Sequence, residues 1–363
     1  MAQSYYTPFT IQTAQVPSTQ TNFPALVVAS AARFKTIANG GHVQTGNDIR
    51  PYSDSTLTTA LTYEMEFYDG LNGIWYGWVL LASAADALVI YLGYGDAALS
   101  SDGSSSATWA NSFGAVYHLG DGSSLVLTDS TSNANTLSND SITATTGKIK
   151  GGALFDGFEP HRLSKAVSSG INLGTEQTMS LWINPTSFAN HDGDGTLYIS
   201  NQNPVGLTLD SSGHVTALIG TSSADRISVS SGTLSTGVFT MLHATWSTSD
   251  NLWRLYANAS EMSYTTQNAG SGTTNSDGTL LSIGAAWNNE YFGNYYGVMD
   301  EVRISTVKRS ANWITTEYNN QSNNSAFWTT GAESAVGGGG PVFITSPVRP
   351  LIPGLRRTQI IQI

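Results

Sequence analysis

The chain of 363 residues carries 15 Lys+Arg and 26 Asp+Glu, so 11% of it is charged, against about 25% in an ordinary soluble domain. Hydrophobic residues at 40%, 37 Gly, no Cys and a net charge of −11 argue against disorder, a helix-rich body, disulfides, thiolate chemistry and a nucleic-acid-binding body, which needs clustered Lys and Arg. The polar surface falls to Ser, Thr, Asn and Gly, the residues of turns and exposed strand faces, and the length suggests about two domains.

The opening residues MAQSYYTPF hold no basic residue followed by an apolar run, so no secretory signal is expected. The longest apolar stretch, Trp78 to Leu99, is broken by Ser, Asp and Gly and predicts no membrane span. Synthesis in a host cytoplasm without membrane insertion is the expectation. Strand signals follow at Phe9 to Thr13, Ala25 to Ala29, Leu61 to Tyr68, Ile74 to Leu81 and Ala87 to Gly93, with a helical turn or two at Ala31 to Ile37. The polar run SDGSSSA (100–106) reads as a hinge and a first domain boundary. A second strand-rich block covers Val116 to Leu119, Ala153 to Phe155, Thr178 to Asn184, Leu197 to Ser200, Gly206 to Leu209 and His214 to Ile219. It continues through Thr240 to Ser247, Leu252 to Asn258, Leu280 to Gly284 and Gly297 to Ser305. Short strands at this spacing predict an antiparallel sandwich or jelly roll. Ser310 is placed to N-cap a short helix in which Ile314 and Tyr318 share a face. Gly337 to Gly340 reads as a linker, and residues 341–363 hold three Arg, four Pro and no acid. That tail has too little apolar surface to fold alone and is expected to lie on a partner.

Three clusters suggest chemistry. Strict alternation puts Asp300 on one face with Val298, Val302 and Ile304, where a carboxylate needs a cation or several donors. Glu64, Glu66 and Asp69 have the spacing of a glycosidase pair on one strand face, set against the simpler reading of a polar exposed face. Trp182 and the aromatic, Asn-rich loop from Trp287 to Tyr296 form a carbohydrate-contact candidate: Trp287, Asn288, Asn289, Tyr291, Asn294 and Tyr295 offer rings for pyranose faces and amides for hydroxyls. The alternative is a packed loop covering a sheet or an interface. The six histidines (42, 118, 161, 191, 214, 243) are scattered, without metal-site spacing, and His243 reads as structural. The Gly40-Gly41 and Gly151-Gly152 pairs read as bulges or tight turns. No nucleophile elbow, phosphate loop or dinucleotide fingerprint is present.

Two resemblances emerge from longer passages. Residues 22–93, with NFPALVVAS, FKTIANGGHVQTGNDIRPYSDS, LTYEMEFYD, GIWYGWVLL and ALVIYLGYGD, resemble a bacterial and phage domain of unknown function that often precedes a jelly roll. FGAVYHLGDG, DSTSNANTLS, GKIKGGALFDG and TMSLWINP, with the later YYGVMDEVRISTVKRSANWITTEYNNQS, resemble a concanavalin A-like, laminin-G-like jelly roll and its closing helix. The resemblance implies an all-β architecture of two β-sandwich or jelly-roll domains, a short C-terminal helix and an extended arm. Its expected divisions are 1–105, 106–333 and 334–363. It also implies a structural Ca²⁺ held by Asp129, Asn133 and Asp300, although Thr131 and Ser132 depart from the usual Ser-Gly of that turn. No other cofactor is expected.

The function expected from these features is a non-enzymatic virion protein of a bacteriophage, on the head, neck or tail surface. Its jelly roll would adhere to host-surface glycans, and residues 337–363 would dock on other virion proteins. Homo-oligomerisation is expected, and nucleic acid is not a partner. The alternatives are a cell-surface or secreted carbohydrate-binding module and a glycoside hydrolase.

Overall fold

Aromatic and β-branched runs such as IWYGWVLLASA favour a pleated, half-buried surface, and turns rich in Gly, Asn and Asp fold those runs back on one another. The computed structural model describes residues 3–120, 122–158, 161–166, 171, 174–188, 205–273, 280–285 and 294–337, and the backbone alone of 199–201. The first block contains β1 (Tyr5–Ile11), β2 (Gln20–Ser30), β3 (Arg50–Tyr52), β4 (Tyr63–Asp69), β5 (Ile74–Ala84) and β6 (Val89–Tyr94). The region expected to hold a helical turn forms two 3₁₀ turns, Ala32–Phe34 and Ile37–Asn39.

The second block runs from β7 (Phe113–Tyr117), β8 (Ser138–Asp140), β9 (Thr143–Thr146), β10 (Gly151–Asp156), β11 (Arg162–Ala166) and β12 (Glu176–Ser187) to β13 (Ile199–Asn201), β14 (Val205–Leu209), β15 (His214–Ile219) and β16 (Arg226–Thr233). It finishes with β17 (Thr240–Ser247), β18 (Arg254–Ala257), β19 (Ser260–Glu261), β20 (Tyr264–Asn268), β21 (Leu280–Ile283) and β22 (Tyr296–Ser305). The chain then forms α1 (Ala311–Ser322), α2 (Asn324–Phe327), β23 (Trp328–Thr330) and β24 (Ser334–Ala335). The fold is mostly β, as expected, and none of its described helices is long and apolar enough to cross a membrane.

In the first block a three-stranded sheet, β2-β5-β4, is accompanied by a second sheet, β23-β1-β6-β3, with β24 also on β1. Phe9, Phe23, Trp75 and Tyr94 belong to its core. The jelly roll consists of two eight-stranded sheets: β19-β18-β17-β12-β22-β10-β9 with β7 on β22, and β20-β16-β15-β14-β13-β21-β11-β8. Leu181, Trp246, Trp253, Val302 and Ile304 pack in its core.

Residues 100–106 are not a free hinge: Ser105 N–H donates to the Tyr63 carbonyl at 2.9 Å, and Ser104 Oγ accepts from Met65 N–H at 2.8 Å. This segment is therefore stitched to β4. At the other end, β23 and β24 leave the jelly roll and pair with β1, Ile11 facing Trp328 and Tyr5 facing Ala335. Strands β23 and β24, at the end of the expected second domain and the start of the expected arm, are thus members of the sheet that contains β1.

The α1 helix joins the two halves. Ser310 caps it, accepting from Trp313 N–H at 3.2 Å, as its sequence position predicts. Asn320 pairs with both backbone groups of Leu26, accepting at 2.7 Å and donating at 2.8 Å, and Trp328 Nε1 donates to the same carbonyl at 2.8 Å. These bonds satisfy polar backbone that the packing would otherwise bury unpaired. Gly41 and Gly151 explain the tight spots: a Cβ would lie 2.1 Å from the Lys35 carbonyl oxygen at the first and 2.2 Å from that of Gly120 at the second.

Candidate functional site

Two bulges re-aim side chains into the seam between the halves. On β4, Met65 pairs with Gly77 and Phe67 with Tyr76, leaving Glu66 as the extra residue. On β22, Arg303 faces Ser180 and Asp300 faces Trp182, so Glu301 and Val302 together oppose Leu181. Glu301 takes φ +54°, a left-handed conformation unusual for a residue with a side chain. This second bulge resets the alternation of the strand. Met299, Val302 and Ile304 face the jelly-roll core, while Asp300 turns the other way, toward Ile149. The expectation that Asp300 shares a face with Val302 and Ile304 is thereby corrected.

Glu64 and Glu66 converge on His118 with Glu301. The imidazole Nδ1 lies 2.7 Å from Glu301 Oε1 and 3.9 Å from Glu66 Oε2, and its Nε2 lies 3.4 Å from Glu64 Oε2. Trp78 Nε1 donates to Glu66 at 2.8 Å, while Trp109 Nε1 and Ser130 Oγ donate to Glu64. Arg303 closes the network, with one amino group 2.6 Å from Glu301 and the other 2.8 Å from Glu317. Its guanidinium also lies 4.2 Å from the Trp78 ring centroid. His243, read as structural, stands 3.1 Å from Glu317.

Burial and charge act against each other here. Burial alone lowers the His118 pKa, but Glu301 and Glu64 raise it well above the ordinary value, so the imidazolium is favoured. Burial and the charge of Glu301 outweigh His118 at Glu66 and push it up to about 8. Glu317 goes the opposite way: burial would raise it, yet His243 and Arg303 hold it at about 2. The exposed-face reading of this strand does not describe Glu64 and Glu66: the Glu66 side chain is enclosed and that of Glu64 partly so, and both are held by hydrogen bonds across the seam. Asp69, half-buried, caps the β4–β5 turn, accepting from Leu71 and Asn72 N–H.

Asp129, Asn133 and Asp300, the cation set implied by the resemblance, each make hydrogen bonds within the fold. Asp129 Oδ1 accepts from Val116 and Thr131 N–H at 3.0 and 2.9 Å, and Oδ2 accepts from Thr131 Oγ1 and Asn135 N–H at 2.8 and 2.9 Å. Its lone pairs are consumed by its own turn. Asn133 donates to the Gly114 carbonyl. Asp300 Oδ2 accepts from Ile149 N–H at 2.7 Å while its Oδ1 is buried without a partner among the described residues, and burial followed by the charge of Glu301 raises its pKa.

Of the carbohydrate candidates, Trp287, Asn288, Asn289 and Tyr291 lie outside the described residues, as does residue 191 among the histidines. Asn294 and Tyr295 are both 2% exposed, and the Tyr295 ring stands at 5.9 Å from Phe155 in the core. Trp182 is also 2% exposed: its Nε1 donates to Gln321 on α1 at 2.7 Å. These three rings and amides are enclosed and present no open platform.

An open cleft lies beside the charged seam. It has a volume of about 690 Å³, within the size range of small-molecule sites. Leu26, Val28, Ser30 and Tyr76 come from β2 and β5, residues 321–325 and β23 contribute the α1–α2 side, and Lys148 and Ile149 come from the jelly-roll turn between β9 and β10. Ile149 is buried in the first domain's core, which anchors that turn and brings Lys148 to the cleft. The Lys148 ammonium donates to the Ser322 carbonyl at 3.0 Å and stands 5.0 Å from the Trp182 ring centroid. Among the described residues, Gln12, Ser30, Tyr76, Thr329 and Thr330 line the cleft, and their side chains have no protein hydrogen-bond partner. None of these residues emerged from sequence reasoning, because the cleft collects separate segments. His118 was visible only as part of the YHLGDG motif.

No curated protein matches the chain. Among solved structures, domain 4 of AbnA, a GH43 extracellular arabinanase from Geobacillus stearothermophilus in complex with arabinotriose, is 20% identical with a TM-score of 0.43, covering 56% of this chain and 96% of that one. The binding domain of Paraclostridial Mosquitocidal Protein 1 is 13% identical, with a TM-score of 0.43 and coverages of 53% and 48%. The receptor binding domain of botulinum neurotoxin type G is 12% identical, with a TM-score of 0.41 and coverages of 54% and 49%. The matches span about half the length of these two toxin structures. Residues 164–315, less than half of the chain, match the model of the concanavalin A-like lectin/glucanases superfamily.

Proposed function

We propose that the protein is a non-enzymatic saccharide-binding protein and that the cleft between its two halves is the binding site. The observation that carries this reading is the lining of the cleft. Tyr76 is a half-buried ring suited to a pyranose face, and Gln12, Ser30, Thr329 and Thr330, with unpartnered hydroxyl and amide groups, line the same cleft. The superfamily of its jelly roll contains both lectins and glucanases by description. The non-enzymatic choice rests on the enclosure of Glu64 and Glu66, whose hydrogen bonds go to indoles, Ser130 and His118. Calorimetric titration with an oligosaccharide panel, alongside a reducing-end assay, tests this reading. Binding without release, weakened about tenfold or more by Tyr76→Ala, is the expected result. Absence of binding across the panel, or release that is lost in Glu64→Gln, overturns it.

A virion location is the second part of the proposal. Near the last described residues, Val336 N–H donates to the Ser4 carbonyl at 2.9 Å. The glycine linker and basic, proline-containing sequence of 337–363 follow that point, and residues 338–363 themselves lie outside the described structure. Such a segment suits docking by main-chain and apolar contacts on an acidic neighbouring protein. Deleting 337–363 should abolish co-purification with particles while leaving saccharide binding unchanged; unchanged incorporation contradicts the tether.

A further inference from the structure

We infer that the cleft is built for an acidic saccharide whose carboxylate is anchored by Lys148. This inference rests on the saccharide-binding reading and specifies its ligand class. The first support is charge. The protein has 26 Asp+Glu and only 15 Lys+Arg, yet none of the described residues lining the cleft is acidic and Lys148 is its cation. The described lining thus offers an anion one ammonium group and no opposing carboxylate.

The second support is how Lys148 is held. It is partly buried, and burial lowers its pKa, so the ammonium carries a desolvation cost. It makes no ion pair with any described carboxylate; its contacts are the Ser322 carbonyl oxygen and the Trp182 ring. Those contacts orient the ammonium while leaving N–H capacity, since an ammonium has three donors. Trp182 thus has a role unlike the one expected from sequence: it supports the anchoring cation from beneath instead of stacking on the sugar.

The third support is the fixed position of the turn. Ile149, next in sequence, is 3% exposed, and its N–H donates to Asp300 Oδ2 at 2.7 Å. Gly147 permits this packing, because a Cβ there would lie 2.0 Å from the Gly151 carbonyl oxygen and 2.6 Å from Asp300 Oδ2. The ammonium is consequently presented by a seated turn and not by a loose surface chain. A carboxylate entering the cleft would replace water around the ammonium with a charge-assisted hydrogen bond, while Tyr76 and the free hydroxyl and amide groups take the sugar ring.

The experiment is calorimetric titration of the full chain with two matched pairs, trigalacturonate against galactotriose and sialyllactose against lactose, at low and high salt. The acidic member of at least one pair should bind about tenfold or more tightly than its neutral partner at low salt, with the difference reduced at high salt. Lys148→Gln should remove that preference, bringing the acidic member to within about twofold of its neutral partner, while retaining the thermal unfolding profile. Equal affinities within both pairs, or a preference that survives Lys148→Gln, overturn the acidic class while leaving saccharide binding intact. Lack of binding by all four saccharides and by the wider panel removes the binding reading and this inference with it. If Lys148→Gln unfolds, Lys148→Arg decides: retained preference supports charge anchoring, and a preference lost in a folded Lys148→Arg protein overturns it.

Discussion

Replacing Arg303 with methionine should lower the free energy of unfolding by about 3–5 kcal/mol, measured by denaturant titration. Arg303 is 1% exposed and is shared between Glu301 on its own strand and Glu317 on α1. Its guanidinium also packs against Trp78 of the first domain and Trp109 after the stitched segment. Methionine retains much of the apolar stem but leaves two buried carboxylates facing lost partners. The cost comes chiefly from that uncompensated charge, so adding Glu301→Gln and Glu317→Gln should recover a large part of it. Lysine is a poor substitute, because one ammonium cannot reproduce the planar fork that reaches both acids. A cost below about 1 kcal/mol for Arg303→Met would show that the network is not a structural tie.

Stability should also fall between mildly acidic pH and alkaline pH. Three buried groups in the seam have raised pKa values: His118, Glu66 and Asp300. A raised folded-state pKa means that the folded protein holds protons that the unfolded chain has released, and stability then declines as pH rises across the interval between the two values. For Glu66 that interval runs from 4.5 to about 8. For His118 the decline begins at 6.5 and continues through its raised folded value. The opposite sign applies to Glu64, Glu301 and Glu317, whose values are lowered, so their contribution is lost at acid pH below 4.5. The protein should therefore be most stable in mildly acidic solution. The alkaline loss attributable to Glu66 is on the order of a few kcal/mol. Glu66→Gln, which keeps the shape without the titration, should flatten the decline between pH 5 and 8 (roughly the Glu66 interval). A wild-type profile that rises over that range contradicts these protonation states.

Much of the architecture was legible because it follows from local periodicity. His214–Ile219 and Thr240–Ser247 occur where the sequence predicts strands, and Ser310 caps its helix. Strand β16 escaped because its sequence RISVSSGT looks like a polar turn. In the structure Ser228 and Ser230 are buried, with the Ser228 hydroxyl donating to the Trp253 carbonyl. The return of β23 and β24 to β1 is a pairing across more than three hundred residues, for which local pattern carries no signal.

The candidate site was less legible for a related reason. A bulge at a non-glycine residue has no compositional signature, and both bulges here carry glutamates. Strict alternation consequently assigned Asp300 to the wrong face beyond Val298. In a chain with so few charges, the paired charged positions Glu64 and Glu66 on one strand and Glu301 and Arg303 on another were the available clue to a buried network. The cleft gave no comparable clue, since Gln12, Tyr76, Lys148 and Thr329 meet only after both halves have folded.

Those dependencies converge on location. A crystal structure of the full chain with the tightest-binding oligosaccharide of the panel is the most direct test of a saccharide site between the two halves. The sugar is predicted to lie against Tyr76, with hydroxyls within hydrogen-bond distance of Thr329 or Thr330. A sugar bound instead to the 287–293 segment of the jelly roll, with the cleft holding only water, would contradict the account.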